Sequence, residues 1–430
     1  MFGSTDTIAA LSSGALPSGV AIIRLSGPRV RDLLEMVAGG VPEPRRLTLR
    51  SIGGKTPIDR GLVAFFAAPQ SFTGEDCAEL QVHGSPAGIR AILRLLVSQG
   101  ARLAEAGEFT RRAFENGKLD LTEIEGLGDL LEAETENQRR QALARLEGGL
   151  TRRVESWRLS LLDLRAQIEA NLDFSDEGDV PPELSPSFQQ DLGSLGLSLQ
   201  NALATIAGGR IVREGIRVAL AGAPNVGKSS LINALSRSDV AIVTDEAGTT
   251  RDVREVPLEI AGQLFILLDL AGLRQTQSKA EAEGIRRARE AIASADILIW
   301  MTAPDVEQEV TPAFSGPILH VASKSDLGAE KGDLAVSANT GEGVQGLLDR
   351  LAQLGETLGS GEPGLLSRER DREALQSALT GIVEAEQVLH QPELAAESLR
   401  QASVAFERLV GRIDSEQVLD RLFSAFCIGK

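Results

Sequence analysis

The chain has 430 residues, enough for two or three domains with sizeable cores. Its 44 Lys and Arg against 61 Asp and Glu leave a formal charge of −17, which excludes a broad nucleic-acid-coating surface; any RNA contact needs a local basic patch or a partner that carries most of it. Only Cys77 and Cys427 are present, with no long apolar run and no leader-like segment, so the expected setting is a reducing one, the cytosol, with no membrane partner; His83, His320 and His390 are scattered and form no zinc-like cluster.

Taken in chain order, residues 1–118 alternate short strands, such as 62–67 and 77–82, with helices such as 86–99, the pattern of an α+β domain. From Leu119 the pattern turns helical, rich in Glu, Arg, Leu and Ala, and reads as one long amphipathic helix through Trp157 to about Phe174. Ser175-Asp176-Glu177-Gly178-Asp179-Val180-Pro181-Pro182 breaks it, and a helix resumes near Ser187 and runs to about Ala207. Residues 366–426 are helical again, with a break at Gln391-Pro392. Neither helical block is bounded as an independent domain, and together they would bury each other's apolar stripes. The expected organisation is an α+β domain at 1–118, a discontinuous all-α domain at 119–210 plus 357–430, and an α/β domain at 211–356 inserted in it.

The inserted segment carries the chemistry. Gly222-Ala223-Pro224-Asn225-Val226-Gly227-Lys228-Ser229 fits G-x-x-x-x-G-K-[ST] between a predicted strand, 215–220, and a predicted helix, 230–235. That placement makes a phosphate cradle from Asn225 to Ser230, in which backbone N–H groups and the helix dipole face the phosphates, Lys228 reaches the β and γ oxygens, and Ser229 can ligate magnesium. Asp269-Leu270-Ala271-Gly272 ends the strand 264–268, where a carboxylate would hold magnesium through water and a glycine would sense the γ-phosphate. Between these motifs, Gly248-Thr249-Thr250 suits a switch loop with Thr250 as a second magnesium ligand. Ser323-Lys324-Ser325-Asp326 follows the strand 318–322, and Ser337-Ala338 follows another. In this order, mostly at strand C-terminal ends, they describe a P-loop GTPase whose Asp326 accepts hydrogen bonds from the guanine edge. The guanine motif of such proteins is normally N-K-x-D, and Ser323 stands where asparagine belongs. Serine is too short to make both the base contact and the tie to the phosphate loop, which predicts weaker GTP binding with guanine preference kept. Leu273 occupies the place where many small GTPases carry a water-positioning glutamine, and no arginine finger can be assigned.

The G-x-P-N-V-G-K-S-S loop, V-T-D-E-A-G-T-T-R-D at Val243–Asp252, D-x-A-G-L-R at Asp269–Arg274 and Phe426-Cys427-Ile428-Gly429-Lys430 resemble the MnmE (TrmE) family of tRNA modification GTPases. The N-terminal part agrees in Asp6-Thr7-Ile8-Ala9-Ala10, Gly19 to Gly27, Phe72-Thr73-Gly74-Glu75-Asp76, Gly107-Glu108-Phe109-Thr110 and Asn116-Gly117-Lys118-Leu119-Asp120, so the resemblance covers essentially the whole chain. It implies that Glu281 positions the attacking water; Glu281 also reads simply as an acidic residue starting a helix, and Glu283 is a near neighbour. It implies a potassium ion held by Asn225, Thr244, Glu246 and Thr249, in a loop where Asp245, Ala247 and Gly248 also meet GTP. It makes the N-terminal domain similar to folate-binding domains, taking 5-formyltetrahydrofolate or a related donor at Arg24, Glu79 and Lys118, with Cys427 and Lys430 at the same site and Cys427 catalytic. It further implies a homodimer, an FAD-dependent partner, MnmG (GidA), in a heterotetramer, and action on carbon 5 of the tRNA wobble uridine. Two other readings remain open: a ribosome-assembly switch related to Era or Der, which would need an RNA-binding module that is not evident, and a folate-dependent methyltransferase with a regulatory GTPase domain.

Overall fold

The computed structural model describes residues 6–54, 56–173, 184, 186–237, 242, 254–269, 286, 289–307, 309–328, 332–359, 364–413, 418–419, 422–423, 426 and 429. The chain forms two compact units, one of Met1–Gly128, Leu146–Leu159 and Ser403–Lys430, the other of Asp129–Arg145 and Ser160–Ala402.

The first unit is built on strands β1 (Ile8–Leu11), β2 (Ser18–Ser26), β3 (Thr48–Ile52), β4 (Asp59–Phe66), β5 (Cys77–Gly84) and β6 (Arg102–Leu103), in the order β3-β4-β5-β2-β1-β6. Every pairing is antiparallel except β1 with β6. Period-two alternation sends Ala21, Ile23 and Leu25 of β2 and Leu80 and Val82 of β5 into a core with helices α1 (Val30–Ala38) and α2 (Pro86–Ser98). The opposite face carries a smaller cluster of Ile8, Ala10, Ala104 and Phe109, the last from helix α3 (Glu108–Glu115). Arg24, opposite Ala10 in register, and Glu79, opposite Arg24, lie on this second face.

The long helix expected from Leu119 is three: α4 (Leu121–Glu132), α5 (Glu136–Leu146) and α6 (Gly149–Asp173). The first interruption is a reciprocal cap. Gln138 Oε1 accepts from the N–H groups of Glu134 and Thr135, both at 3.0 Å, and the Gln138 N–H donates to Thr135 Oγ1 at 3.4 Å, which starts a new helix at the sequence T-E-N-Q. Helix α7 (Pro186–Glu214) runs past its expected end at Ala207 straight into the inserted domain.

There, strands β7 (Ile216–Gly222), β8 (Arg254–Ile260), β9 (Gln263–Asp269), β10 (Ile297–Thr302), β11 (Ile318–Ala322) and β12 (Leu334–Ala335) form a second sheet in the order β12-β11-β10-β7-β9-β8. All pairs are parallel but β8 with β9. Strand β7 is almost uniformly buried, as a central parallel strand covered on both faces should be. Helices α8 (Lys228–Leu235) and α9 (Val344–Leu358) supply Leu231, Ile232, Leu347 and Leu351 to the core beneath it. After the insertion, α10 (Glu369–Gln387) and α11 (Pro392–Leu409) end the helical region, with the break where Gln391-Pro392 predicts it.

The two sides of the insertion are tied together. Gln141 on α5 donates to the carbonyls of Gly209 at 3.0 Å and Gly364 at 2.7 Å, and Arg145 donates to Leu365 O at 2.5 Å and to Asp371 Oδ2 at 3.2 Å. The architecture is an α/β P-loop GTPase domain inserted in an all-α helical domain and preceded by an α+β domain.

Candidate functional site

Strand order reverses at β7, since β8 and β9 lie to one side and β10 to β12 to the other, and crevices of open α/β sheets form outside strand C-termini at such a point. The loop leaving β7 therefore stands at the mouth of the crevice. Gly222, with φ 142°, opposes Met301 in register, and a Cβ there would sit 2.3 Å from the Met301 carbonyl, so only glycine permits this turn. Asn225 adopts the left-handed φ of 62°, which asparagine tolerates better than most residues. Gly227 caps α8, whose first residue is Lys228, and the helix N-terminus thus opens onto the loop.

Lys228 Nζ donates to the carbonyls of Gly222 and Ala223, each at 2.9 Å, so its ammonium stands within the loop where phosphate oxygens would replace those carbonyls. Ser229 Oγ, one residue on, donates to Asp269 Oδ2 at 3.3 Å. Asp269 is buried at the end of β9. A hydroxyl and a carboxylate meeting beside a helix N-terminus are hard oxygen donors of the kind magnesium takes, so the residues present fit that ion. Val226 is buried under the loop, and Ser230 is exposed on the first turn of α8.

The base end lies past β11. Lys324 is left-handed at φ 57° and starts a 3₁₀ turn over Ser325–Leu327. Asp326 Oδ1 accepts from Ser337 Oγ at 2.6 Å, and this hydrogen bond holds the exposed carboxyl below its ordinary range. Ser337 itself is held by its N–H to Glu342 O at 2.9 Å, and half-buried Ala338 follows it. Ser323 is buried, and its hydroxyl donates to the Val226 carbonyl of the phosphate loop, with the Thr302 carbonyl 3.0 Å away. Serine thus makes the tie to the loop that the sequence left in competition with the base contact. Asp305, after β10, was not foreseen: its carboxylate pairs with Lys324 Nζ at 2.6 Å, which lowers its own pKa, and nothing in the motif spacing points to it.

The remaining expected nucleotide-side residues, Thr244 to Thr250, Leu270 to Gly272, Leu273 and Glu281, lie outside the described residues. So do Cys427 and Lys430. Gly429 is described, and it brings the C-terminal segment to the first unit. Its carbonyl accepts from Ser12 Oγ at 2.5 Å, and a Cβ at its φ of 100° would lie 2.3 Å from Leu11 O. Leu11 ends β1, one residue beyond the Ala10 that opposes Arg24.

Of the three N-terminal candidates, two meet directly. Arg24 Nη2 donates to Glu79 Oε1 at 2.9 Å, and the guanidinium lies over the Phe72 ring at 5.5 Å and the Phe109 ring at 5.9 Å. Lys118 approaches the same loop by packing its stem against Gly74 and donating to Pro69 O at 3.0 Å. The motif residues around them mostly hold the loop in place. Thr73 Oγ1 lies 2.7 Å from Ser26 Oγ, Ser26 donates to Glu75 Oε2 at 2.7 Å, and buried Arg112 joins Glu75 at 3.1 Å to Asp6 at 2.8 Å and Glu108 at 3.1 Å. A sequence reading sees these as one signature. The structure assigns most of them to a network that sets the loop on which Phe72 faces Arg24.

Comparison with known proteins covers the same regions. A family model described as GTP-binding protein TrmE N-terminus matches residues 7–118, and one described as MnmE helical domain matches residues 121–427. A tRNA modification GTPase MnmE of Azorhizobium caulinodans is 47% identical over 443 residues, spanning 100% of this chain and 100% of its own. One of Rhizobium meliloti is 48% identical over 440 residues, 99% of this chain and 100% of its own. Among solved structures, the G domain of the T. maritima FeoB iron transporter is 24% identical over 32% of this chain and 97% of its own, with a TM-score of 0.24.

Proposed function

Because the chain belongs to the MnmE (TrmE) family of tRNA modification GTPases, we propose that it uses potassium-dependent GTP hydrolysis, as a homodimer with the FAD-containing partner MnmG (GidA), to modify carbon 5 of the tRNA wobble uridine. It is a GTP hydrolase acting in tRNA modification, and the group installed is of the carboxymethylaminomethyl or aminomethyl type, with the carbon supplied by 5-formyltetrahydrofolate or a related folate. The working assembly is a heterotetramer in the cytoplasm. Among the described residues no helix is long and apolar enough to cross a membrane.

The observation that supports the nucleotide reading most is the meeting of Ser229 and Asp269 beside Lys228 at the N-terminus of α8. Lys228 leaves its two carbonyls for the β and γ oxygens, while loop N–H groups and the helix dipole take the rest of the phosphate charge. Ser229 and Thr250 would hold magnesium, with Asp269 acting through water; the ion, when bound, offsets phosphate charge. Leu273 cannot orient a water, and Glu281 takes that part. Asn225 with the carbonyls of Thr244, Glu246 and Thr249 would hold potassium, closing the first switch over the nucleotide as two GTPase domains meet. The charge of −17 favours a partner that carries most of the tRNA contact.

Turnover compared in potassium and sodium tests the cation: potassium should be faster by about tenfold or more, about 1.4 kcal/mol in barrier. Equal rates would remove the cation from the mechanism. Mass spectrometry of wobble nucleosides in a deletion strain tests the tRNA step, and an unchanged nucleoside pattern would remove it.

A further inference from the structure

Guanine presents a protein with two kinds of edge. N1–H and the 2-amino group are donors, whereas O6 and N7 are acceptors. Asp326, an ionised carboxylate, can only accept, so it reads the donor edge, and its orientation is fixed by Ser337 at 2.6 Å. Reading N7 requires a donor from the other side of the motif. The first residue of the motif is Ser323, whose hydroxyl carries a single proton. That hydroxyl is buried at 5% exposure and faces Val226 O and Thr302 O, both of which only accept. The adjacent cation is engaged as well, with Lys324 Nζ 2.6 and 2.9 Å from the two Asp305 carboxylate oxygens.

We propose that this chain leaves guanine N7 unread, because Ser323 spends its one hydroxyl proton on the phosphate loop, so that discrimination rests on the donor edge alone. An asparagine amide carries two protons, so one can hold the loop carbonyl while the other serves the base; serine makes these exclusive. The inference rests on the guanine-nucleotide reading of the site above.

The test is competition against a fluorescent guanine nucleotide on the full chain, using GTP, 7-deaza-GTP and ITP. Removing N7 should leave affinity within about twofold, whereas removing the 2-amino group, which faces a charged acceptor, should weaken binding by about threefold to tenfold or more. Ser323→Asn should create a preference for GTP over 7-deaza-GTP of about threefold to tenfold. Ser323→Ala should weaken both nucleotides together and keep their ratio near one, which separates the base contact from any general disturbance of the loop. A wild-type preference for GTP over 7-deaza-GTP of about fivefold, or an unchanged ratio in the asparagine variant, would overturn the proposal. If neither GTP nor either analogue binds, the guanine-nucleotide reading itself fails and takes this inference with it.

Discussion

Each unit contains an arginine–carboxylate pair made by residues far apart in sequence, and the two are built for opposite ends. Arg145 and Asp371 both have side chains at 0% exposure, 3.2 Å apart, while Arg24 and Glu79 are each 20% exposed and 2.9 Å apart. The buried pair is surrounded by further partners, Leu365 O for the guanidinium and the N–H groups of Ser367 and Arg368 for the carboxylate. Neither charge can leave without stranding the other in a low dielectric. The Arg24 pair stands partly exposed between two aromatic rings, where a ligand anion could take the place of Glu79 on the guanidinium. The shorter pair is therefore the more exchangeable one: burial and surrounding donors, not distance, separate a locked pair, or clamp, from an accessible one.

The comparison breaks most directly at the clamp. Arg145→Ala should lower the unfolding free energy by about 3–5 kcal/mol, measured by denaturant titration, because buried Asp371 loses the guanidinium that hydrogen-bonds it and keeps only Arg370 at 3.9 Å and two backbone N–H groups. A loss below about 1 kcal/mol would put the two pairs in one class. Smaller, and read at the same clamp, is the response to acid. Burial alone would raise the Asp371 carboxyl, but the Arg145 and Arg370 charges and the Ser367 N–H outweigh it and hold it below its ordinary value of 3.8. Its stabilisation is thus fully present above the unfolded value, near pH 4, and is lost as pH falls below that toward the folded value. An Asp371→Asn chain should show a shallower fall in stability over that acidic window, and parallel curves would mean that the carboxylate is not the titrating group.

On the exchangeable side, the folate proposal predicts that Glu79→Gln weakens folate binding by about threefold to tenfold in calorimetry, since the carboxylate facing Arg24 is neutralised. The same change should alter stability by less than about 1 kcal/mol. A large drop in stability with unchanged folate affinity would make Arg24–Glu79 a second clamp. The least expected effect is on hydrolysis: Cys427→Ser or removal of Lys430 should leave GTP turnover nearly intact while abolishing the wobble modification. Equal loss of hydrolysis would show that the tail maintains the fold.

What the sequence made legible follows from the same division. The candidate nucleotide site hangs on loops at strand ends, so order along the chain was enough to single out Ser229 and Asp269, and Asp326 and Ser337, as residues that would meet. The Arg24–Glu79 contact depends on the register of β2 against β5, and the clamp joins residues 226 positions apart; neither leaves a local pattern. Strand β8 escaped notice because Pro257 interrupts it, and an edge strand tolerates proline that a central one would not. The cap at Thr135 was written in the sequence as T-E-N-Q, but an unbroken amphipathic stripe outweighed it.

The first unit takes residues from both 1–128 and 403–430, and its apolar cluster sets Leu121 and Ile124 of α4 against Leu419, Phe423 and Phe426. On a ribosome adding about 5–20 residues each second, the roughly 300 residues between these partners take about 15–60 s to appear, and the second unit is synthesised meanwhile. The portion made earliest must therefore wait with an uncovered apolar flank. Nascent chains stalled within the GTPase segment should recruit holdase chaperones to Leu121 and Ile124, and release of the full chain should free them.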